Sequence, residues 1–539
     1  MKRILALGEI ALIILLALAP LAGHFPYRFN IFLSWEGAYR LYLGQTPYKD
    51  FGMPLGYMYW VIPTVFFKVF GPYMMSLVKA QVFINIIGGL AFRSILKSLS
   101  VRPGIRFISV LLFLISYSFM NFWPWYNQTV IMYELVALSF LLKFIFGRGS
   151  RGRWGMLVAS GAFIFFSFFT KQDGGGLAFL VCVALLIYNS YIEKDWKQLP
   201  IFVGAVLLTG VFCIAPFLKY NFGYWFNHGQ PPHTSRISFG DIATDFFTEE
   251  SQWLKFYLFI ILLLLLAHIK SYRAFIADKP KVIFTLLTLG ILAEAAIFQT
   301  TSYIPGDNNI FFHSFAIAFI LSMAAAFLPV NFETPKTVII MAAGLMLWWS
   351  QMYWKYIEKY VVKETPIANT DGIINKRTYL RSTPDTTDVP VGLWRPSPLR
   401  SFRGMLLPVP TINGMDRIMH MDIVQQNKHL KVLNMTELTP LAWEMKYDLE
   451  RSPEYPLWYH LGVGMFKKET DMFCDRIKNN YYDLVLFEYI PYLNNFYPFR
   501  VRDTLLQYYK RVDVFTAPRK PSNQAWVEVY VRKPVDNNQ

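Results

Sequence analysis

The chain has 539 residues, of which 54% are hydrophobic, 18% aromatic and only 16% charged, with a formal net charge of +16. That balance is far too apolar for a soluble protein of this length and points to a polytopic membrane protein. The surplus of bases is assigned to loops that fix orientation and to anionic lipid headgroups, so membrane lipids are expected partners and nucleic acid is not. Cys182 and Cys213 lie in apolar runs and Cys474 alone in the polar tail, which leaves no disulfide to argue and no metal-type spacing.

The N-terminus, "MKRILALGEIALIILLALAPLAG", joins a basic start to an apolar run close to the twenty or so residues of a full span, and is expected to stay as a signal-anchor helix. Further runs of spanning length follow at 75–96, 104–122, 128–146, 154–170, 176–193, 199–217, 252–269, 282–299, 309–328 and 337–355. Together they make eleven. A twelfth stretch, "LGYMYWVIPTVFFKVFG" at 55–71, is short and carries Pro63 and Lys68.

Whether that stretch crosses decides the side of every later loop. If it lies in the interface as an amphipathic helix, one side collects Lys2, Arg3, Arg93, Lys97, Arg102, Arg106, Lys143, Arg148, Arg151, Arg153, Lys194, Lys197, Lys270, Arg273, Lys279, Lys281 and Lys336. The opposite short loops at 121–128 and 300–309 hold no base. Short basic loops face the cytoplasm. The chain is therefore expected to be an integral protein of a bacterial inner membrane, with a cytoplasmic N-terminus and the loops 23–74 and 218–251 on the periplasmic side. In a eukaryote that side would be the lumen of the endoplasmic reticulum.

From about residue 360 the pattern changes. Strands are expected at 430–435, 482–490 and 525–533, and helices at 468–480 and 501–512. The expected fold is an α-helical polytopic membrane protein with about eleven transmembrane helices, an interfacial helix in the first outer loop and a C-terminal soluble α/β domain. The division expected is 1–358 for the membrane domain and 359–539 for the periplasmic one.

Ionisable groups within or beside a membrane are costly and mark candidate sites. Glu36 and Asp50 stand in "LSWEGAYRLYLGQTPYKDFGMPLGYMYW" (33–60), just after the first span. Glu134 lies about two turns into a span, where a neighbouring helix can also satisfy it. In "FFTKQDGGGLAFL" (168–180), Lys171, Gln172 and Asp173 precede three glycines, a pattern that suits an anion, or else a snorkelling lysine at a helical hairpin. "HGQPPHTSR" (228–236) adds His228, His233 and Arg236, and "PGDNNIFFHSF" adds Asp307 and His313. Histidines so spaced are more often surface residues than zinc ligands.

The first of these stretches resembles the first extracytoplasmic loop of the GT-C superfamily of membrane glycosyltransferases, which includes protein O-mannosyltransferases and lipid A aminoarabinose transferases. The matching positions are Glu36, Gly37, Tyr39, Gly44, Pro47, Tyr48, Asp50, Phe51, Pro54 and Leu55. The family commonly has two adjacent acids where this chain has Trp35 and Glu36. The resemblance implies a glycosyltransferase that takes a hexose or pentose from a polyprenyl-phosphate donor, without a nucleotide, and passes it to a glycan, lipid or protein acceptor. Glu36 or Asp50 would be the base and Glu134 a partner acid that positions substrate or helps hold a divalent cation. Lys171, Gln172, Arg40, Arg236, Tyr48 and His313 would contact substrate, with the cations on the lipid phosphate. Single displacement would invert the anomeric carbon. Two other readings stay open: a multi-span transporter, and an inactive relative serving as a scaffold, which the Trp35 departure favours.

Overall fold

Lipid offers backbone groups no hydrogen bonds, so apolar runs satisfy them internally as helices. The computed structural model describes residues 2–27, 31–118, 122–147, 152–229, 238–248, 252–302, 311–351, 353–354, 387–427, 429–457, 459, 464–491 and 498–533. In chain order the helices to residue 348 are α1 (Lys2–Leu18), α2 (Ile31–Tyr42), α3 (Met58–Phe70), α4 (Met74–Ser98), α5 (Pro103–Phe113), α6 (Tyr126–Phe146), α7 (Arg153–Thr170), α8 (Gln172–Glu193), α9 (Gln198–Ile214), α10 (Phe239–Thr248), α11 (Gln252–His268), α12 (Tyr272–Ala277), α13 (Lys279–Ser302), α14 (Phe311–Ala324) and α15 (Pro335–Trp348). Each of the eleven apolar runs forms a helix. Among the described residues seven helices are long and apolar enough to cross a membrane, and α10 with α11, bent by 93°, makes an eighth if the pair is one span. The helices α5, α14 and α15 are apolar but shorter. The disputed stretch forms α3, 13 residues with Pro63 inside. At 1.5 Å per residue it rises about 20 Å, well short of a hydrocarbon core of about 30 Å.

The chain divides into two compact units. The first comprises Met1–Ala22, Met53–Phe66 and Leu77–Trp348; the second comprises Gly23–Gly52, Phe67–Ser76 and Trp349–Gln539. In the first unit several bases counted as loop charges are internal. Glu9 on α1 is fully buried and accepts Arg93 Nε at 2.6 Å and Arg106 Nε at 2.9 Å, which fastens α1 to α4 and α5. Glu193 at the end of α8 pairs with Arg153 at 2.8 Å and Lys279 at 2.6 Å, tying α7 and α13 to it. Gly56 lies so close to α7 that an added Cβ would sit 1.5 Å from the Phe169 carbonyl oxygen, so only glycine fits there.

The second unit draws on both ends of the chain. Strand β1 (Phe25–Pro26) and the two strands β2 (Arg395–Pro396) and β3 (Met405–Leu407) form one sheet, in which β1 runs parallel to β3 and pairs Phe25 with Met405. The larger sheet has the order β4 (Val432–Met435), β5 (Leu484–Tyr489), β7 (Trp526–Arg532), β6 (Tyr509–Thr516); β4 and β5 are parallel and the rest antiparallel. The expected strands are β4, β5 and β7. The helix expected over 501–512 is Phe499–Tyr508, and the chain turns at Tyr509 into β6, which sequence reading missed. Alternation in "RVDVFT" and pairing along β7 override the helical pattern at that end.

Buried acids in this unit mostly meet bases. Glu437 and Glu488 share Arg519. Burial pushes the Glu528 carboxyl up, but hydrogen bonds from Arg502, Tyr530 and Arg511 outweigh it and hold the group below its ordinary value. Glu469, on the helix Phe466–Lys478, is the exception: it is 1% exposed and neither carboxyl oxygen has a hydrogen-bond partner among the described residues. Burial pushes its carboxyl up to about 9. The folded state keeps this proton where the unfolded chain, titrating near about 4.3, has lost it. The unfolded state then binds fewer protons, so from this group stability falls as pH rises from about 5 to 9, by at most roughly 1.4 kcal/mol per unit. Glu469→Gln should abolish that slope in melting temperatures recorded at pH 5, 7 and 9. A wild-type-to-variant difference that does not change with pH would show that Glu469 is ionised throughout.

Candidate active site

Nearly all of α2 from Ile31 to Arg40 is buried, so its one carboxylate and one guanidinium are placed among apolar side chains. They answer each other at i, i+4: Arg40 Nε donates to Glu36 Oε1 at 2.9 Å and Nη2 lies 2.7 Å from the same oxygen. Arg40 has no exposed surface, and its Nη1 also donates to Gln45 Oε1 and to the Glu450 carbonyl, each at 2.8 Å. Its guanidinium stands 4.7 Å from the Tyr455 ring centre and 5.3 Å from that of Phe51. Such a fork of donors against carboxylate, amide and aromatic faces is what arginine supplies and lysine does not. Arg40 is thus spent on internal partners.

Trp35, at the position where the resembled loops often carry a first acid, is a core residue. It is fully buried, donates from Nε1 to the Pro72 carbonyl at 3.1 Å and packs on Tyr39 and Phe67. Asp50 shapes the loop: its Oδ2 accepts the Thr46 backbone N–H at 2.7 Å and closes the turn 46–50. Tyr48 in that turn is buried at φ +64°, and its N–H donates to the Phe51 carbonyl at 2.7 Å. A bulky side chain tolerates that backbone only when its surroundings hold it. The loop then runs alongside residues 452–457, with Ser452 N–H on the Asp50 carbonyl, Gly52 N–H on the Tyr455 carbonyl and Leu457 N–H on the Gly52 carbonyl, at 2.8, 2.8 and 2.9 Å.

A cavity of about 50 Å³ opens beside this helix, with Glu36, Asn434, Thr436, Thr439, Tyr455 and Tyr459 in its wall. Arg40 occupies Oε1 of Glu36, and no described residue hydrogen-bonds Oε2. The buried Thr439 hydroxyl also has no hydrogen-bond partner among the described residues. Asn434 is engaged, donating to the Leu438 carbonyl and the Tyr447 hydroxyl. Burial, with Glu36 adding and Arg40 opposing, raises the Tyr455 hydroxyl far above its ordinary value, so it stays protonated. The arrangement offers one oriented carboxylate oxygen and one hydroxyl to a small polar group, and room for a few waters.

In the first unit, Glu134 on α6 and Glu294 on α13 are both buried and face each other. Glu134 Oε1 and Glu294 Oε2 have no other partner among the described residues. Glu294 was overlooked in the sequence, although a lone acid inside the run 282–299 is the signal that singles out Glu134. Lys171 sits between α7 and α8, pairs with Asp173 at 2.9 Å and stands 4.3 Å from the Phe298 ring centre and 5.8 Å from that of Tyr126. Phe298 and Tyr126 belong to the same two helices as the acid pair. Gln172 donates to the Trp225 carbonyl at 2.7 Å, and His313 Nδ1 lies 3.0 Å from the Tyr257 hydroxyl in a buried aromatic cluster with Phe312. Arg236, His233 and Asp307 fall outside the described residues, as does the His228 side chain. Among the described residues no group of three or more His, Cys, Asp or Glu is arranged to hold a metal ion.

No protein-family model matches the sequence, and no curated protein matches it. Solved structures do. ArnT from Cupriavidus metallidurans bound to undecaprenyl phosphate aligns with a TM-score of 0.54 at 10% identity over 97% of both chains. The same protein in the apo state aligns at 0.53 and 11%, again over 97% of each chain. The oligosaccharyltransferase of Archaeoglobus fulgidus, at a TM-score of 0.36, is too loosely similar to support any inference. Over 97% of its length this chain has the fold seen in ArnT.

Proposed function

We propose that the protein is a membrane glycosyltransferase that moves a hexose or pentose from a polyprenyl-phosphate donor to a glycan, lipid or protein acceptor on the extracytoplasmic face, inverting the anomeric carbon. The observation that carries this reading is Glu36: a carboxylate held by Arg40 through one oxygen and lining a cavity, in a chain whose fold matches ArnT over 97% of its length. One of the ArnT structures holds undecaprenyl phosphate, the kind of lipid the donor would contain.

In this mechanism Glu36 Oε2 takes the proton of the acceptor hydroxyl as its oxygen attacks the anomeric carbon. The bond between that carbon and the phosphate oxygen breaks, and the polyprenyl phosphate leaves with both electrons. Its charge calls for a cation, the role the sequence resemblance gives to Lys171, which pairs with Asp173 in the first unit. Asp50 and Tyr48 hold the loop, and Arg40 holds the Glu36 carboxylate in place.

The test is a transfer assay with purified protein, labelled polyprenyl-phosphate hexoses and pentoses, and a membrane extract as the acceptor source. A labelled product from at least one donor is expected. Neither transfer nor hydrolysis of any donor, together with solute uptake by reconstituted vesicles, would overturn the reading in favour of a transporter.

A further inference from the structure

The first unit has a cavity of about 200 Å³ where the turn between α4 and α5 meets the start of α13 and the end of α14. Its wall carries Arg102 and Lys281, two serines, Ser100 and Ser322, and an apolar floor that includes Phe284 and Phe319. The two rings are buried and meet edge to face at 5.1 Å. No acid lines the cavity.

Four features suit it to an anion. Arg102 precedes the first residue of α5 and its carbonyl accepts the Arg106 N–H at 2.9 Å, while its side chain makes no capping hydrogen bond and no ion pair or hydrogen bond with a described residue. Lys281 lies in the first turn of α13 and is half exposed; it pairs with Asp278 at 2.8 Å, and Asp278 also accepts the Lys281 N–H at 3.3 Å. The positive ends of α5 and α13 both reach this cavity. The Ser322 hydroxyl is buried at its wall without a hydrogen-bond partner among the described residues.

Cations, helix N-termini and a free hydroxyl recognise a phosphate. The aromatic floor beneath them recognises something a free phosphate lacks, an acyl chain. The cavity also lies on the face to which the basic loops assign the cytoplasm, the side where anionic lipids gather and where basic pockets between helices hold their headgroups. We propose that this cavity binds an anionic phospholipid of the cytoplasmic leaflet, with its phosphate on Arg102 and Lys281 and a chain against Phe284 and Phe319. The site is independent of the transfer reaction proposed above.

The test uses full-length protein in detergent, with retention of phosphatidylglycerol and phosphatidylcholine read by native mass spectrometry. The double variant Arg102→Ala, Lys281→Ala should lose phosphatidylglycerol about thirtyfold, taking each base near a lipid surface at its usual worth. Lys270→Ala, an exposed base on the same face, should leave retention unchanged, and phosphatidylcholine should bind no variant differently. Equal loss in the double variant and in Lys270→Ala would reduce the effect to bulk charge and overturn the site. Displacement of phosphatidylglycerol by inorganic phosphate at equal concentration would show that the acyl chain contributes nothing, and would overturn the assignment to a lipid.

Discussion

A protein carrying Glu36→Gln is expected to fold and to transfer sugar about 10²–10⁴-fold more slowly than wild type, the range that a positioned general base contributes. Glutamine keeps the shape and an oxygen for Arg40 to donate to, and it loses only the ability to take a proton. The stability cost is that of a charge-assisted hydrogen bond weakened to a neutral one, about 1–3 kcal/mol. The KM for the lipid donor should barely move, because Glu36 meets the acceptor side of the reaction. Asp50→Asn makes the contrast: an amide oxygen still accepts the Thr46 N–H, so its rate should stay within about tenfold of wild type. Rates measured side by side in the transfer assay decide between them. A Glu36→Gln enzyme within tenfold of wild type would remove Glu36 from the role of base, and a collapse confined to Asp50→Asn would give that role to Asp50.

The membrane helices were legible because each apolar run is long enough to demand internal hydrogen bonding, and all eleven runs became helices. Their ends were not. The run at 252–269 begins after a sharp bend, and the run at 104–122 leaves the α-helical pattern after Phe113, since end points depend on packing as well as hydropathy. The Glu36–Arg40 pair was not read from the sequence, where Arg40 was expected to contact substrate, although the two stand four residues apart. The partners that complete it, Glu450 and Tyr455, lie more than 400 residues away, and no local pattern announces that Gly52 will pair with Tyr455. Trp35 illustrates the same limit: as a missing acid it argued against activity, whereas packing shows a side chain that builds the core beside Glu36.

Partnership sorts the buried acids. Glu9, Glu193, Glu437, Glu488 and Glu528 each meet arginine or lysine, as the cost of a buried charge requires, and they join elements. Glu134 and Glu294 meet each other, Glu469 meets no described group, and Glu36 meets a cation through one oxygen only. Acids that a fold leaves incompletely satisfied are the ones available for proton transfer or substrate binding. By that measure the pair within the helices, and not the better-satisfied Glu9, is the acid group of the first unit left open to a ligand.

Arg40→Ala should be the most destabilising single change in the second unit. It strips Glu36 of its cation inside a buried helix and frees the Gln45 side chain and the Glu450 carbonyl, while leaving a void between Tyr455 and Phe51. Breaking a buried ion pair from one side costs about 3–5 kcal/mol. The loss should appear as a lowered melting temperature of the detergent-purified protein and as faster proteolysis within residues 387–533. Arg40→Lys should recover part of it, because an ammonium can still face Glu36 but cannot span Gln45, Glu450 and two rings at once. Adding Glu36→Gln to Arg40→Ala should return about 0.5–3 kcal/mol, since the glutamine needs no counter-charge. That return separates an ion pair from mere packing. If the double variant is no more stable than Arg40→Ala alone, the cost lies in lost volume, and Arg40 does not hold Glu36 by its charge.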